Sequence, residues 1–571
     1  MRQSQLSLGR LSLLLALSGS AVLVGCGGDE DNISPTSQPL TCADLSGMTI
    51  APASIGLPTT GATVTAATPV AAAGSGATAT PDYCKVSAAI SPVDPAAPKI
   101  MMQIALPSTW NHKVMMFGGG GYDGTIPDVA GNVPAGPTAE ATPLGRGYAT
   151  FGSDSGHQAN VLASQDGSFG INNEAVNNFS GDALKKTRDV AIAIINARYA
   201  VNGPTKAYFA GGSSGGREAL EVAQKWPQDW DGVIALYPAG AAASLDLQFG
   251  RITRALAQPG AYPNAAKRKV LYDASIQACD MLDGVADGLV SNMKACNATF
   301  NPTTATVNGR PLRCAGGADT GDTCLSDAQI AAFNTINTSI TFNYTLASGE
   351  TQYPGFNTWG TDFGIPNASP FQVAVSFLSL NSAQPASPMP NAAPYGSVFW
   401  DQWVRFFVTR DPNFNSLTLD PQNPGAYQAR ISALTGLQDV NKTDLTAFQS
   451  KGGKVLIAHG TSDALVSTRA TEQYVDRVRS TMGVARADTF LRYYEIPGYG
   501  HVASTVFNAS WDSLTTLENW AERGVTPPPQ VVSDTIGVPG RTRPLCQYPT
   551  WPKYAGSGDV NMASNFACVN Q

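Results

Sequence analysis

Charge is scarce in this chain. Of its 571 residues, 14% are Asp, Glu, Lys or Arg, and the formal net charge is −7. No basic run interrupts that pattern, which argues against a nucleic-acid partner. Histidine is scarcer still, with only His112, His157, His459 and His501. Any chemistry that needs an imidazole must draw on those four. Long apolar runs are missing beyond residues 11–24, and that stretch is too short to span a membrane as a permanent helix. Phosphate-binding signatures are absent too. The glycine run Gly118-Gly119-Gly120-Gly121 is followed by no Gly-Lys-Ser/Thr, and its spacing is not G-x-G-x-x-G.

What the chain does have is Gly211-Gly212-Ser213-Ser214-Gly215. It follows the β-like run Lys206-Ala-Tyr-Phe-Ala210 and opens a helix-like run through Lys225. Strand, G-x-S-x-G and helix is the context of a nucleophile elbow in an α/β hydrolase, where a sharp turn lifts a serine hydroxyl clear of the sheet. In this fold the order of partners is serine, acid, histidine. His459 and His501 are the histidines that follow Ser213. Residues 455–458 read as a buried strand ending at His459, with Asp463 in the loop behind it. His501 sits in the glycine-rich loop Gly498-Tyr-Gly-His501 after a second strand. We therefore expect Asp463 as the orienting acid, His501 as the base, and His459 as a strand-end packing residue. The oxyanion donors are expected from Gly119 and Gly120, after the strand Lys113-Val-Met-Met-Phe117, and from the N–H of Ser214.

These pieces, with Trp110-Asn111, Asp154-Ser-Gly-His157, Gly216-Arg217, Cys279-Asp280 and His459-Gly-x-x-Asp463, resemble the tannase/feruloyl esterase family. The resemblance runs from about Cys42 to the C-terminus. It implies an α/β-hydrolase fold with a large inserted lid domain, and hydrolysis of aromatic acid esters. The sequence departs from the family at one place. A cysteine commonly precedes the nucleophile and another follows the catalytic histidine, joined as a disulfide; here those positions are Gly212 and Val502. Packing and hydrogen bonds alone would then hold the triad. Apart from Cys26, eight cysteines remain, and spacing alone allows 105 connectivities. Nearest-neighbour pairing gives Cys42–Cys84, Cys279–Cys296, Cys314–Cys324 and Cys546–Cys568, and the resemblance implies the same four. It also implies a structural Ca²⁺ held by the side chains of Asp280, Asp283 and Asp287 and the carbonyls of Val285 and Leu289. By itself that segment reads as a solvated acidic turn.

Residues 1–25 are expected to be a lipoprotein signal peptide and 26–40 a polar tether. Leu23-Val24-Gly25-Cys26 resembles a lipoprotein cleavage site, which would leave Cys26 lipidated and the protein exported and anchored to a bacterial membrane; ordinary signal cleavage is the alternative. The hydrolase domain is expected in two parts, 41–239 and 441–571, around a lid at 240–440. Within the lid, Trp400, Trp403, Val404 and Phe407 fall on one helix face, more typical of core than of a pocket. Some of Phe356, Trp359, Phe363, Phe399, Trp400 and Trp403 should nonetheless meet the substrate. A catalytically silent binding protein and an amidase remain alternative readings of the same fold.

Overall fold

The computed structural model describes residues 38–570; residues 1–25, Cys26 and most of the tether lie outside them. Ten strands form the main sheet: β1 (Thr49–Ile50), β2 (Gly61–Val70), β3 (Tyr83–Ser91), β4 (Ile100–Pro107), β5 (Lys113–Phe117), β6 (Ala149–Ser153), β7 (Lys206–Gly212), β8 (Gly232–Leu236), β9 (Lys454–Gly460) and β10 (Leu491–Ile496). Their spatial order is β1-β2-β3-β4-β6-β5-β7-β8-β9-β10. The first four are antiparallel neighbours, and β4 is antiparallel to β6. From β6 to β10 every pairing is parallel. Such strands are covered on both faces, so their sequences read as near-continuous apolar runs.

Alternation along each strand feeds two separate cores. Met116, Phe209, Val233, Val455 and Ile457 pack with Val190, Ile194 and Ile195 of the helix Ala183–Tyr199. Met115, Tyr208, Ile234, Leu456 and Ala458 pack on the other face with Leu514, Leu517 and Trp520 of the helix Ser513–Arg523. This is the α/β-hydrolase fold, with a mixed sheet between helices. Burying a large aliphatic or aromatic side chain is worth about 1.5–3 kcal/mol, so these two layers anchor the sheet that carries the site.

Strands β8 and β9 are direct neighbours, with Leu236 opposite Ala458. The chain between them leaves the sheet and builds a third core from Trp359, Trp400, Trp403, Phe407 and Leu434, among others. It belongs to the same compact unit as the sheet, which runs from Pro39 onward. The cysteines pair as Cys42–Cys84, Cys279–Cys296, Cys314–Cys324 and Cys546–Cys568, with Cα–Cα separations of 5.6, 5.3, 5.0 and 5.4 Å. Four disulfides mark a protein that matures outside the reducing cytosol.

Candidate active site

Register along the parallel strands brings the functional loops to one edge. Gly212 pairs with Leu236, and Leu236 with Ala458. The next residues along, Ser213 and Tyr237 just past β7 and β8 and His459 in the last two residues of β9, therefore sit side by side at the carboxyl ends of the three strands.

Ser213 has φ 60° and ψ −122°, a positive-φ conformation that a non-glycine residue rarely adopts and that marks a strained elbow. The strain persists because the surroundings leave no room to relax. A Cβ on Gly211 would lie 2.4 Å from the Gly215 backbone, and one on Gly215 would lie 2.8 Å from the Gly119 carbonyl. Ser213 Oγ is 2.9 Å from His501 Nε2, and His501 Nδ1 is 2.8 Å from Asp463 Oδ2. The other Asp463 oxygen accepts the N–H groups of Leu465 and Val466, each at 2.8 Å. His459, fully buried, sits behind this relay. Its Nε2 lies 3.2 Å from both Asp463 Oδ2 and the Val466 carbonyl, while Nδ1 lies 2.9 Å from Thr471 Oγ1. Burial pushes the Asp463 carboxyl up, but the two imidazoles outweigh it and hold the group below its usual range. A permanent carboxylate thus fixes the tautomer in which His501 Nδ1–H donates and Nε2 accepts.

The two expected oxyanion glycines separate. Gly119 N–H donates to Glu218 at 3.0 Å, so it is not free for a ligand. Gly120 and Ser214 line the cavity above Ser213, and no described residue accepts their N–H groups. The geometry therefore removes Gly119 from the donor set and gives it a supporting part. A Cβ there would lie 2.1 Å from Asp123 Oδ1, so the close approach requires glycine. Asp123 and Glu218 are both buried beneath the loop. Burial pushes Asp123 up to about 6, and burial together with Asp123 pushes Glu218 well above the carboxylate range. Asp123 raises Glu218, so the titration of one carboxyl depends on the state of the other.

At Gly212 and Val502, where the family resemblance implies a disulfide, a ring fills the space instead. A Cβ on Gly212 would lie 2.5 Å from the Tyr237 ring, and that ring sits 4.9 Å from the His501 imidazole. Val502 is 53% exposed with φ 65°.

A cavity of about 310 Å³ opens over Ser213 and His501. Tyr122, Phe179, Phe249, Tyr395 and Phe399 line it. Of the lid aromatics anticipated from the sequence, only Phe399 lines this cavity. Trp400, Trp403, Val404 and Phe407 are fully buried core, as their shared helix face suggests, and Phe356, Trp359 and Phe363 pack in the same cluster. Sequence reasoning missed the helix Ala242–Leu256, which presents Ala242, Leu245, Asp246 and Phe249 to the cavity. Ala242, Leu245 and Phe249, at i, i+3 and i+7, were the available signal, interrupted at i+4 by Asp246.

The acidic loop lies apart from this cavity. Asp280 accepts the N–H groups of Asp287 and Gly288, at 3.2 Å and at 3.1 and 3.0 Å. Asp287 is paired with Arg543. As the side chains stand, no group of three His, Cys, Asp or Glu among the described residues is disposed to hold a metal. The donor chemistry nevertheless fits Ca²⁺. Asp283 Oδ2 is buried with no partner, the Val285 and Leu289 carbonyls accept no hydrogen bond among the described residues, and burial pushes Asp283 up to about 6.

A serine on a strained elbow, a buried carboxylate–imidazole relay and two free amide donors on a parallel sheet define a serine hydrolase of the α/β-hydrolase class. The sequence profile "Tannase and feruloyl esterase" matches residues 84–569, and the chain belongs to that family. An uncharacterized esterase of Agrobacterium fabrum is 36% identical, over 93% of each chain. A mono(2-hydroxyethyl) terephthalate hydrolase of Piscinibacter sakaiensis is 31% identical, over 86% of each. Feruloyl esterase B from Aspergillus oryzae shares the fold with a TM-score of 0.72 and 24% identity, covering 90% of this chain and 98% of that one. The protein is a carboxylic ester hydrolase.

Proposed function

We propose that the protein cleaves esters of aromatic carboxylic acids through an acyl-enzyme on Ser213. The observation that carries this reading is the hydrogen-bonded Ser213–His501–Asp463 relay opening into an aromatic-lined cavity. His501 Nε2 takes the Ser213 proton as Oγ attacks the ester carbonyl. The oxyanion that forms is met by the Gly120 and Ser214 N–H groups. His501 then returns the proton to the leaving alcohol, and water repeats the sequence to release the acid. The relatives' names point the same way: feruloyl esterases, and a hydrolase of a terephthalate monoester. In this reading residues 240–440 act as the lid that walls the acyl site.

Two further parts of the proposal lie away from the chemistry. Asp280, Asp283 and Asp287, with the Val285 and Leu289 carbonyls, would hold a structural Ca²⁺. Cys26 would carry a lipid that holds the exported protein at a membrane, which intact-mass measurement of the membrane-extracted protein tests. The enzymatic reading is tested with methyl ferulate, methyl gallate, a terephthalate monoester and p-nitrophenyl acetate. Turnover of aromatic esters, and stoichiometric labelling of Ser213 by a fluorophosphonate, are the expected results. Labelling with no aromatic turnover would leave a serine hydrolase of other specificity.

A further inference from the structure

Asp246 is the feature of the cavity that the reaction does not use. It is 4% exposed, lines the cavity, and has neither a hydrogen-bond partner nor a salt bridge among the described residues. It sits on a helix face whose other cavity residues, Ala242, Leu245 and Phe249, are apolar. Its carboxyl opens onto the cavity and has no partner in the described protein, so the partner is left to whatever fills the cavity. The folding of the helix does not call for an aspartate here, since an apolar residue would continue the stripe. Among the described residues lining the cavity, none is Lys or Arg.

We propose that Asp246 is a specificity residue: it hydrogen-bonds a hydroxyl on the aromatic acyl ring, so the enzyme selects esters of neutral hydroxylated aromatic acids and rejects acyl groups that carry a second carboxylate. This rests on the acyl-transfer reading above. Three observations support it. The cavity walls are aromatic, which suits a flat ring. A second carboxylate on the acyl group would enter a cavity that offers no cation, and a buried uncompensated charge is expensive. Burial pushes the Asp246 carboxyl well above the carboxylate range, and the nearby Asp439 adds to that. The neutral carboxyl both donates and accepts, so it matches a phenol, which does the same. Gain and loss are asymmetric at such a site. An apolar pocket discriminates weakly against a missing group, whereas a buried hydrogen-bonding group left unpaired penalises the analogue that lacks its partner.

The test uses one skeleton with four ring ends: methyl cinnamate bearing hydroxyl, hydrogen, carboxylate or trimethylammonium at the 4-position. The wild-type kcat/KM is expected to favour hydroxyl over hydrogen by about 10- to 100-fold, with the carboxylate slowest. In Asp246→Leu the hydroxyl-to-hydrogen ratio should fall to about one, and Asp246→Asn, which keeps hydrogen-bonding capacity, should retain part of it. A wild-type ratio near one, or a carboxylate or trimethylammonium ester as the fastest substrate, overturns the proposal. So does an Asp246→Leu variant that slows hydroxyl and hydrogen esters equally. Calorimetry of free 4-hydroxycinnamate and cinnamate with Ser213→Ala reads the same preference without turnover. Equal binding would sink the assignment. If no ester were hydrolysed and Ser213 stayed unlabelled, the acyl-transfer reading would fail instead, and the calorimetric preference would still decide the role of Asp246.

Discussion

Asp463 serves two imidazoles, and which side of it a histidine occupies determines what its removal does. His501→Ala deletes the base and should abolish turnover, as should Ser213→Ala, each by about 10⁶-fold in kcat. His459→Ala removes a partner of Asp463 and Thr471 from the buried side. It should destabilise the protein by about 1–3 kcal/mol while keeping measurable turnover, read by thermal melts and steady-state kinetics. Inactive His459→Ala with an unchanged melt would reverse the two assignments. Beneath the oxyanion loop, Glu218→Gln keeps a neutral side chain of the same shape and should retain most activity. Glu218→Ala frees the Gly119 N–H and should lower kcat about 10- to 100-fold at similar KM. His157 gives a pH prediction. Burial lowers it to about 4 from an ordinary 6.5, and neither ring nitrogen has a hydrogen-bond partner. The unfolded chain binds that proton first, so the contribution is whole above pH 6.5 and is lost as pH falls toward 4. It is worth about 3 kcal/mol. Chemical denaturation at pH 7 and pH 4 should show a smaller loss for His157→Phe than for the wild type. The triad was legible at this scale because each member sits in a local motif with its own spacing. Asp246 was not, since an aspartate without a partner is a property of the tertiary surroundings. The engagement of Gly119 by Glu218 was hidden for the same reason.

At the scale of elements, the elbow and the loop of the base are held together by Tyr237. Its ring occupies the space beside Gly212 and lies against His501. A cysteine pair introduced by Gly212→Cys and Val502→Cys would meet that ring, so the double variant should show two free thiols in the folded protein. Adding Tyr237→Ala clears the space and should allow the bridge to form. Thiol counting with and without the third substitution checks this, and a bridge in the double variant alone would show that Tyr237 does not fill the gap. The central strands could be read from their continuous apolar runs. The antiparallel extension β1 to β4 could not, because segments such as Gly61–Val70 are rich in Ala and Thr and lack a strong alternation. The cavity helix escaped notice because its cavity-facing stripe is broken by Asp246.

At the scale of the whole molecule, chelation probes the acidic loop. If Ca²⁺ is bound there, EDTA should lower the melting temperature by several degrees while activity at low temperature survives, and calcium should restore the melt. An unchanged melt with no calcium by elemental analysis would leave Arg541 and Arg543, which both contact Asp287, as the cations serving that loop. The insertion between β8 and β9 was visible as an overlong connection, yet its shared compact unit with the sheet emerges only from contacts far apart in sequence.

That insertion has a consequence for how the chain can be divided. Ser213 and His501 lie on opposite sides of it, yet their strands are neighbours through β8 and β9. A break in an exposed loop of the insertion, such as residues 411–413, severs no strand pairing and removes no catalytic group. Two separately made polypeptides split there would each be inert, one lacking a base and the other a nucleophile. Their reassociation through the β8–β9 seam would regenerate the enzyme, so that ester turnover would report the encounter of two molecules.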